Sequence, residues 1–215
     1  MATEKLEELG TRDRLLDVAE TLVAAHGFDA VSLRQVTSDA GANLAAVNYH
    51  FGSRDGLFQA AIGRRVEPIN RERLQMLDDL EAGGEPGIEA VLGALFRPVV
   101  NIYRESEKKR EVFFRFMGRC MGESSEAMTA YLAEQFGMVV ERFTLALGRA
   151  MPGVAAEEVR LRFLFSVGVM AHTLCFIQQM SKYTGKDEPE LTAEELMDRM
   201  VAFSAAGMRA EGGGR

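Results

Sequence analysis

Residues that form cross-links and metal sites are scarce in this sequence. Among its 215 residues there are two cysteines, three histidines, five prolines and no tryptophan. Cys120 and Cys175 are too few for a disulfide framework, which indicates reduced thiols. The first ten residues contain no apolar run behind a basic start, so a secretion signal is not indicated. We therefore expect a cytoplasmic protein.

Common catalytic motifs are missing as well. The sequence contains no GxSxG, HExxH, P-loop or GxGxxG pattern, which argues against an enzyme. His172 and Cys175 lie three residues apart and could join Cys120 around a metal ion, although a core histidine beside buried thiols is far more common. We therefore predict no catalytic residues, no metal site and no cofactor.

An excess of basic charge is also absent, because the formal net charge is -7. Affinity for nucleic acid comes largely from Lys and Arg at phosphates, so this balance by itself disfavours DNA. Between Thr11 and Val66, however, six basic residues face six acidic ones, and the net acidity therefore lies elsewhere. A DNA-binding segment there would depend on specific contacts or on a dimeric partner.

Helical periodicity runs through almost the whole chain, of which 47% is hydrophobic. Apolar residues recur every three or four positions, and strand-like alternation never lasts more than a few residues. The clearest loop is Glu81–Gly87. The helix predicted from Ala156 to Tyr183 has an apolar middle that is too short for a membrane span, so we expect it to be fully buried. These patterns predict an all-α fold and no membrane partner.

The stretch Ser32–Phe51 predicts two short helices over a tight turn. Ser32 is a good N-cap with Gln35 in the capping-box position, Gly41 suits the turn, and Val47 marks the inner side of the second helix. The small and amide-bearing residues of the second helix are left facing outward. A helix with such a face fits the major groove of DNA.

Three pieces of this region carry a family resemblance: AG at 40–41, NYHF at 48–51 and SRDGL at 53–57. They resemble the helix-turn-helix of TetR-type transcriptional regulators over about residues 11–62. The resemblance implies a three-helix DNA-binding domain (11–62) and a helical ligand-binding and dimerisation domain (63–209), flanked by a flexible arm (1–10) and tail (210–215). It also implies a homodimer on a double-stranded, roughly palindromic DNA operator. We expect a repressor that a small apolar effector releases.

Arg54 is expected to hold a phosphate at a helix start, and Tyr49 to contact the DNA backbone as in the family. Asn43 could instead be only a helix cap, and His50 only a surface residue. Asn48 departs from the family, in which another aromatic is frequent at this position. The candidate DNA-binding residues are Ser32, Arg34, Asn43, Leu44, Ala45, Ala46, Asn48, Tyr49, His50, Ser53 and Arg54.

The remaining candidates lie in the helical body. Large apolar side chains at helical spacing either line an effector pocket or form plain core; they are Phe96, Val99, Tyr103, Phe113, Phe116, Met117, Cys120, Phe136, Phe143 and Met170. Small and apolar residues of the last two helices either meet a second copy, as the resemblance favours, or complete the chain's own core; they are Ser166, Gly168, Ala171, Cys175, Leu196, Met200, Phe203 and Gly207. The rival to a DNA-binding regulator is a helical interaction module that does not bind DNA.

Overall fold

The computed structural model describes residues 10–104, 106–122, 125–185 and 191–211, and within these ranges it contains helices and no strand. This confirms the predicted all-α fold. The α-helices, in chain order, are α1 (Thr11–His26), α2 (Leu33–Asp39), α3 (Leu44–Phe51), α4 (Arg54–Ala82), α5 (Ile88–Val100), α6 (Glu107–Met121), α7 (Glu126–Ala150), α8 (Ala156–Thr184) and α9 (Ala193–Met208). A 3-10 turn, Asn101–Arg104, follows α5.

Short polar side chains begin several of these helices. Ser32 Oγ accepts a hydrogen bond from the Gln35 amide at 3.2 Å, and Ser53 Oγ accepts one from Gly56 at 3.0 Å. Thr192 forms a complete capping box with Glu195 at the start of α9. Each bond satisfies an amide that has no carbonyl partner within its own helix. The first helix is an exception, because its N-cap is Gly10, which makes no side-chain cap hydrogen bond.

The chain divides into two compact units. Unit 1 comprises the chain up to Pro68 together with Glu107–Gln135, and unit 2 comprises Ile69–Ser106 and the chain from Phe136 onward. The division therefore falls inside α4 and α7, both of which run through it without interruption. By compactness, α6 and the start of α7 therefore belong to the same unit as the helix-turn-helix. The domain boundary predicted at residue 62 assigns them to the other domain.

Helix α8 is not the fully buried helix that its composition predicts. Leu164 and Phe165 are 62% and 61% exposed, and Leu161 and Phe176 are also exposed. The segment Ala156–Ile177 has the length and composition of a membrane span, a test that core helices of soluble proteins also pass, but only 28% of its most apolar window is buried. The prediction of full burial is wrong because apolar periodicity does not show whether the same chain covers every face of a helix.

Candidate nucleic-acid interface

The turn between α2 and α3 depends on Gly41, whose φ of 58° is the left-handed conformation that glycine adopts without strain. On either side, the Ala40 amide donates to the Val36 carbonyl at 3.0 Å, and the Ala42 amide to the Thr37 carbonyl at 2.9 Å. These bonds close the end of α2 and fix the direction in which α3 starts. The predicted helix-turn-helix is therefore present, with the turn at the predicted residue.

One side of α3 is anchored and the other is open. Val47 is completely buried, and Asn43 Oδ1 accepts a hydrogen bond from the Ala46 amide at 2.9 Å as the cap of the helix. Asn43 thus has the role that the sequence gave as an alternative to base contact. The exposed residues recur four positions apart and share one face, which we call the reading face: Leu44, Ala45, Asn48 and Tyr49.

Tyr49 is the most exposed large side chain of the reading face, at 85%. The His50 ring packs edge-on against it with the centroids 4.9 Å apart. His50 and Ala46 are half-buried, so they flank the reading face and are not part of it. Ser32 and Arg34 are exposed on the preceding helix, Ser32 as its cap.

Arg54 does not have the outward orientation expected of a phosphate contact. Its guanidinium donates hydrogen bonds to the carbonyl oxygens of Phe28 and Val31, the latter at 3.3 Å from Nη2. Its Cζ lies 4.7 Å from the ring centroid of the buried Phe58. The sequence prediction for this side chain is corrected: Arg54 holds the segment between α1 and α2, because two carbonyls without helical partners lie within its reach. The amides at the start of α4 remain available for a phosphate.

Other arginines of unit 1 also contact residues of the same unit. Arg14 Nε donates to the Ala40 carbonyl at 3.1 Å, which ties α1 to the end of α2. The Arg12 guanidinium lies 5.5 Å above the ring of Phe51. Arg34, in contrast, is exposed, and its guanidinium makes no hydrogen bond or ion pair with the residues that the structure describes; only its carbonyl accepts a hydrogen bond, from Thr37 Oγ1 at 3.1 Å. It is the arginine beside the reading face that is best placed to meet a phosphate or a base.

A buried carboxylate links α1 to α4. Glu20 is 2% exposed; its Oε1 accepts from Arg64 Nη2 at 2.7 Å, and its Oε2 accepts from Arg65 Nε at 2.8 Å. Asp17 adds a second carboxylate, 2.6 Å from Arg64. Burial alone would lower the pKa of Arg64, but these two carboxylates more than offset it, so the pKa is raised. The helix that follows the reading face is thereby fixed to the first helix of the unit.

Helices α6 and α7 reach this same unit. The Phe28 ring, after α1, lies 6.3 Å from Phe116 of α6. On α4, a Cβ added to Gly63 would lie 2.6 Å from the Tyr131 hydroxyl of α7, so glycine permits this close approach. Burial, with help from the charge of Glu67, raises the pKa of Tyr131.

The predicted effector residues do not form one cluster within either unit. Those assigned to unit 1 are Phe113, Phe116, Met117 and Cys120, and those assigned to unit 2 are Phe96, Val99, Phe136, Phe143 and Met170. The side chain of Tyr103 lies outside the described residues. Phe96, Phe116, Cys120 and Phe143 are at most 1% exposed, which is the burial of plain core.

Unit 2 contains an open groove of about 830 Å³ between α4, α5 and α9 that no sequence pattern indicated. Its floor is apolar and partly made of small residues, including Met76, Leu80, Gly93, Ala94, Val201 and Ala202. The sequence feature that could have indicated the groove is the helical spacing of small residues on α5 and α9. The same signal also fits close helix packing, so it did not distinguish a groove from a contact.

Three of the eight residues predicted for the dimer interface are buried inside the chain itself. Ser166, Leu196 and Met200 are each 4% exposed, and Ser166 Oγ donates to the Arg162 carbonyl at 3.0 Å. These three belong to the chain's own core, because they lie on the inner faces of α8 and α9. Phe203, 69% exposed, and the exposed Gly168 and Gly207 are on the surface. Ala171 and Cys175 are half-buried, and burial raises the pKa of the Cys175 thiol.

No group of three metal-ligating side chains occurs among the residues that the structure describes. His172 instead lies against Phe176, with the ring centroids 4.7 Å apart. The contacts of His172 therefore give no support to the metal site that was considered for His172, Cys175 and Cys120.

Two helices joined over a glycine turn, the second anchored by Val47 and exposing Asn48 and Tyr49, define a helix-turn-helix DNA-binding protein. Comparison with known families agrees. Residues 15–61 match the family described as bacterial regulatory proteins, tetR family, and residues 93–207 match the tetracyclin repressor-like C-terminal domain. The chain belongs to the TetR family of transcriptional regulators, as the sequence motifs predicted.

An individual relative matches only part of this chain. A nicotine-responsive transcriptional repressor of the helix-turn-helix type, HdnoR of Paenarthrobacter nicotinovorans, is 31% identical over 77 residues, 36% of this chain and 40% of that protein. The match thus spans less than half the length of this curated relative.

Solved structures share the fold across nearly the whole chain. A TetR-family regulator from Bordetella parapertussis has a TM-score of 0.65 at 15% identity, covering 90% of this chain and 93% of that one. A putative TetR-family regulator from Rhodococcus has a TM-score of 0.56 at 18% identity, covering 92% and 98%. A protein described as superantigen pfit has a TM-score of 0.61 at 19% identity, covering 90% and 88%. At these identities the likeness concerns the fold, and function has to be argued from the residues.

Proposed function

We propose that this protein is a cytoplasmic transcriptional repressor, without enzymatic activity, that binds a roughly palindromic operator as a homodimer and is released by a small apolar effector. The observation that carries this proposal is the reading face of α3. Its four residues are exposed while Val47 and the Asn43 cap hold the helix in place. An anchored helix that exposes small and amide-bearing side chains, here Ala45 and Asn48, is what the major groove accepts.

Different residues of this surface are suited to contact bases and phosphates. Asn48 can read a base edge through its amide, and Ala45 can touch a thymine methyl. Tyr49, 85% exposed, and the exposed Arg34 supply contacts to the backbone or to flanking bases. Because Arg54 is bound internally, the amides near Ser53 are what α4 offers to a phosphate.

The exposed apolar face of α8 supports dimerisation. Leu164 and Phe165, together with Phe203 of α9, are more than 60% exposed, an arrangement that water disfavours in a free chain. A second copy covers the same face on both partners, because a two-fold interface is self-complementary. Two identical reading faces related by that axis require an operator with the same symmetry, which makes it roughly palindromic.

The test begins with the selection of bound sequences from a random DNA pool by the purified protein. We expect enrichment of a palindrome. Tyr49→Ala should bind the selected site about 5- to 150-fold more weakly at equal salt, since contacts at one position are typically worth about 1–3 kcal/mol. Met138→Ala, at a position 63% exposed on α7, serves as a control that retains affinity. No enrichment would favour the interaction module instead.

The dimer is tested separately by light scattering. Leu164→Glu places a charge in the proposed interface and should yield a monomer, whereas Met138→Glu should leave the dimer intact. Equal molecular masses for the two variants would contradict the assignment of the α8 face.

A further inference from the structure

The side-chain amide of Asn48 is exposed on the reading face and makes no hydrogen bond with the residues that the structure describes. The other asparagine of this region differs, because Asn43 Oδ1 accepts from the Ala46 amide at 2.9 Å. The main-chain carbonyl of Asn48 accepts from the Gly52 amide at 3.1 Å, a bond that does not involve its side chain. Asn48 therefore offers a donor, Nδ2, and an acceptor, Oδ1, to a ligand.

Asn48 lies in the middle of the reading face and not at its margin. Because an α-helix turns by about 100° per residue, Asn48 and Ala45 are about 60° apart around the helix axis. Leu44 lies about 40° outside Asn48, and Tyr49 lies about 40° outside Ala45. The two central side chains are short and the two outer ones are long. When such a helix enters the major groove, the middle of its face meets the base edges and its margins meet the groove walls.

The reading face carries no charged side chain, and this restricts the bases that it can recognise. Guanine presents two acceptors in the major groove, which suit Arg or Lys, and cytosine presents a donor, which suits a carboxylate. Adenine presents an acceptor, N7, beside a donor, the N6 amino group. The Asn48 amide has the complementary pair, so adenine is the base with which it can form two hydrogen bonds.

We propose that Asn48 determines the sequence specificity of α3 by reading one adenine in each half-site of the operator. Its Nδ2 donates to N7 of that base and its Oδ1 accepts from N6. This inference rests on the proposed function, since it assigns a base to the same DNA-binding surface. Ala45, three residues earlier on the same face, has only a methyl group and allows the close approach that the short Asn48 side chain needs. In a two-fold symmetric dimer the adenine recurs at the mirror position of the other half-site.

Selection of bound sequences from a random DNA pool by the parent, Asn48→Ala and Asn48→Asp tests this assignment. The parent should require adenine at one position of each half-site. Asn48→Ala should select the same palindrome without a preferred base at that position, and should bind the parental site about 5- to 150-fold more weakly. Asn48→Asp keeps the shape of the side chain and should select cytosine there, because a carboxylate accepts from N4. The other positions of the half-site are the internal control and should keep their bases.

A modified base isolates one of the two hydrogen bonds. In 7-deazaadenine a carbon replaces N7, while the N6 amino group and the pairing with thymine are kept. With this base at the assigned position, the parent should bind the operator about 2- to 10-fold more weakly, the effect expected from the loss of one hydrogen bond. Asn48→Ala should bind the modified and unmodified operators equally. Equal affinity of the parent for the two operators would overturn the proposal, even if neither variant folded.

The selection also separates this inference from the proposed function. If the parent selected a palindrome in which no adenine depended on Asn48, the base assignment would be refuted and the DNA-binding regulator would stand. Unchanged base preferences in Asn48→Ala would have the same meaning. If the parent enriched no palindrome, the proposed function would be refuted, and the base assignment with it.

Discussion

Replacing Glu20 with glutamine tests whether the buried carboxylate between α1 and α4 stabilises unit 1. The side chain keeps its size but loses its charge, and an NH₂ group replaces one oxygen that accepts from arginine. In the structure, Arg64 bonds to one oxygen at 2.7 Å and Arg65 to the other at 2.5 Å. The new amide therefore directs a donor at an arginine donor, whichever way it is turned.

The expected loss follows from how deeply the three groups are buried. Removing one partner of a fully buried ion pair costs about 3–5 kcal/mol. The side chains of Arg64 and Arg65 are 25% and 40% exposed, so water can take over part of their solvation. We therefore expect a loss of about 2–3 kcal/mol in the free energy of unfolding. For a chain of this length that lowers Tm by roughly 5–10 °C.

Thermal and urea unfolding, followed by circular dichroism, measure this loss. Glu111→Gln is the matched control, because Glu111 pairs with Arg115 at 2.9 Å on α6 with its side chain 52% exposed. Such a surface pair is worth about 0.3–0.5 kcal/mol. If Glu20→Gln changed Tm no more than Glu111→Gln does, the buried carboxylate would contribute nothing net, and the reasoning would be refuted.

Three further substitutions act through the backbone. Gly56→Ala should destabilise the protein by about 1–3 kcal/mol and weaken operator binding, because a Cβ would collide with the Phe51 carbonyl at the end of α3. Gly137→Ala, where an added Cβ meets nothing within 4 Å inside α7, should stabilise by about 0.5–1 kcal/mol through helix propensity. Thr192→Ala removes the cap of α9 and should cost about 1 kcal/mol. Denaturant unfolding measures all three.

The two glycine substitutions control for each other, since they make the same chemical change at helical positions. Equal effects at Gly56 and Gly137 would show that the collision at the end of α3 is relieved without cost. For Thr192→Ala, Thr192→Ser keeps the hydroxyl and should restore most of the stability. A serine variant no more stable than the alanine variant would contradict the capping role.

The sequence by itself determined the local features of the DNA-binding region. Ser32, Gly41 and Asn43 are a cap, a turn and a second cap because each acts on backbone groups no more than four residues away. Bonds of this range need no knowledge of the rest of the fold. The motifs at 40–57 also lie within one short segment, which is why the sequence alone was enough to indicate the family.

Tertiary structure alone decided which side chains are available for function. Arg54 reads as a phosphate contact in sequence, but carbonyls 23 and 26 residues away take its guanidinium. Arg73 likewise meets Met170, 97 residues along the chain, where local pattern has no influence. Helix α8 is apolar in sequence, yet only packing shows that its Leu164 side is uncovered. Apolar periodicity shows that one face of a helix is hydrophobic. Only the folded structure shows whether other parts of the same chain cover that face.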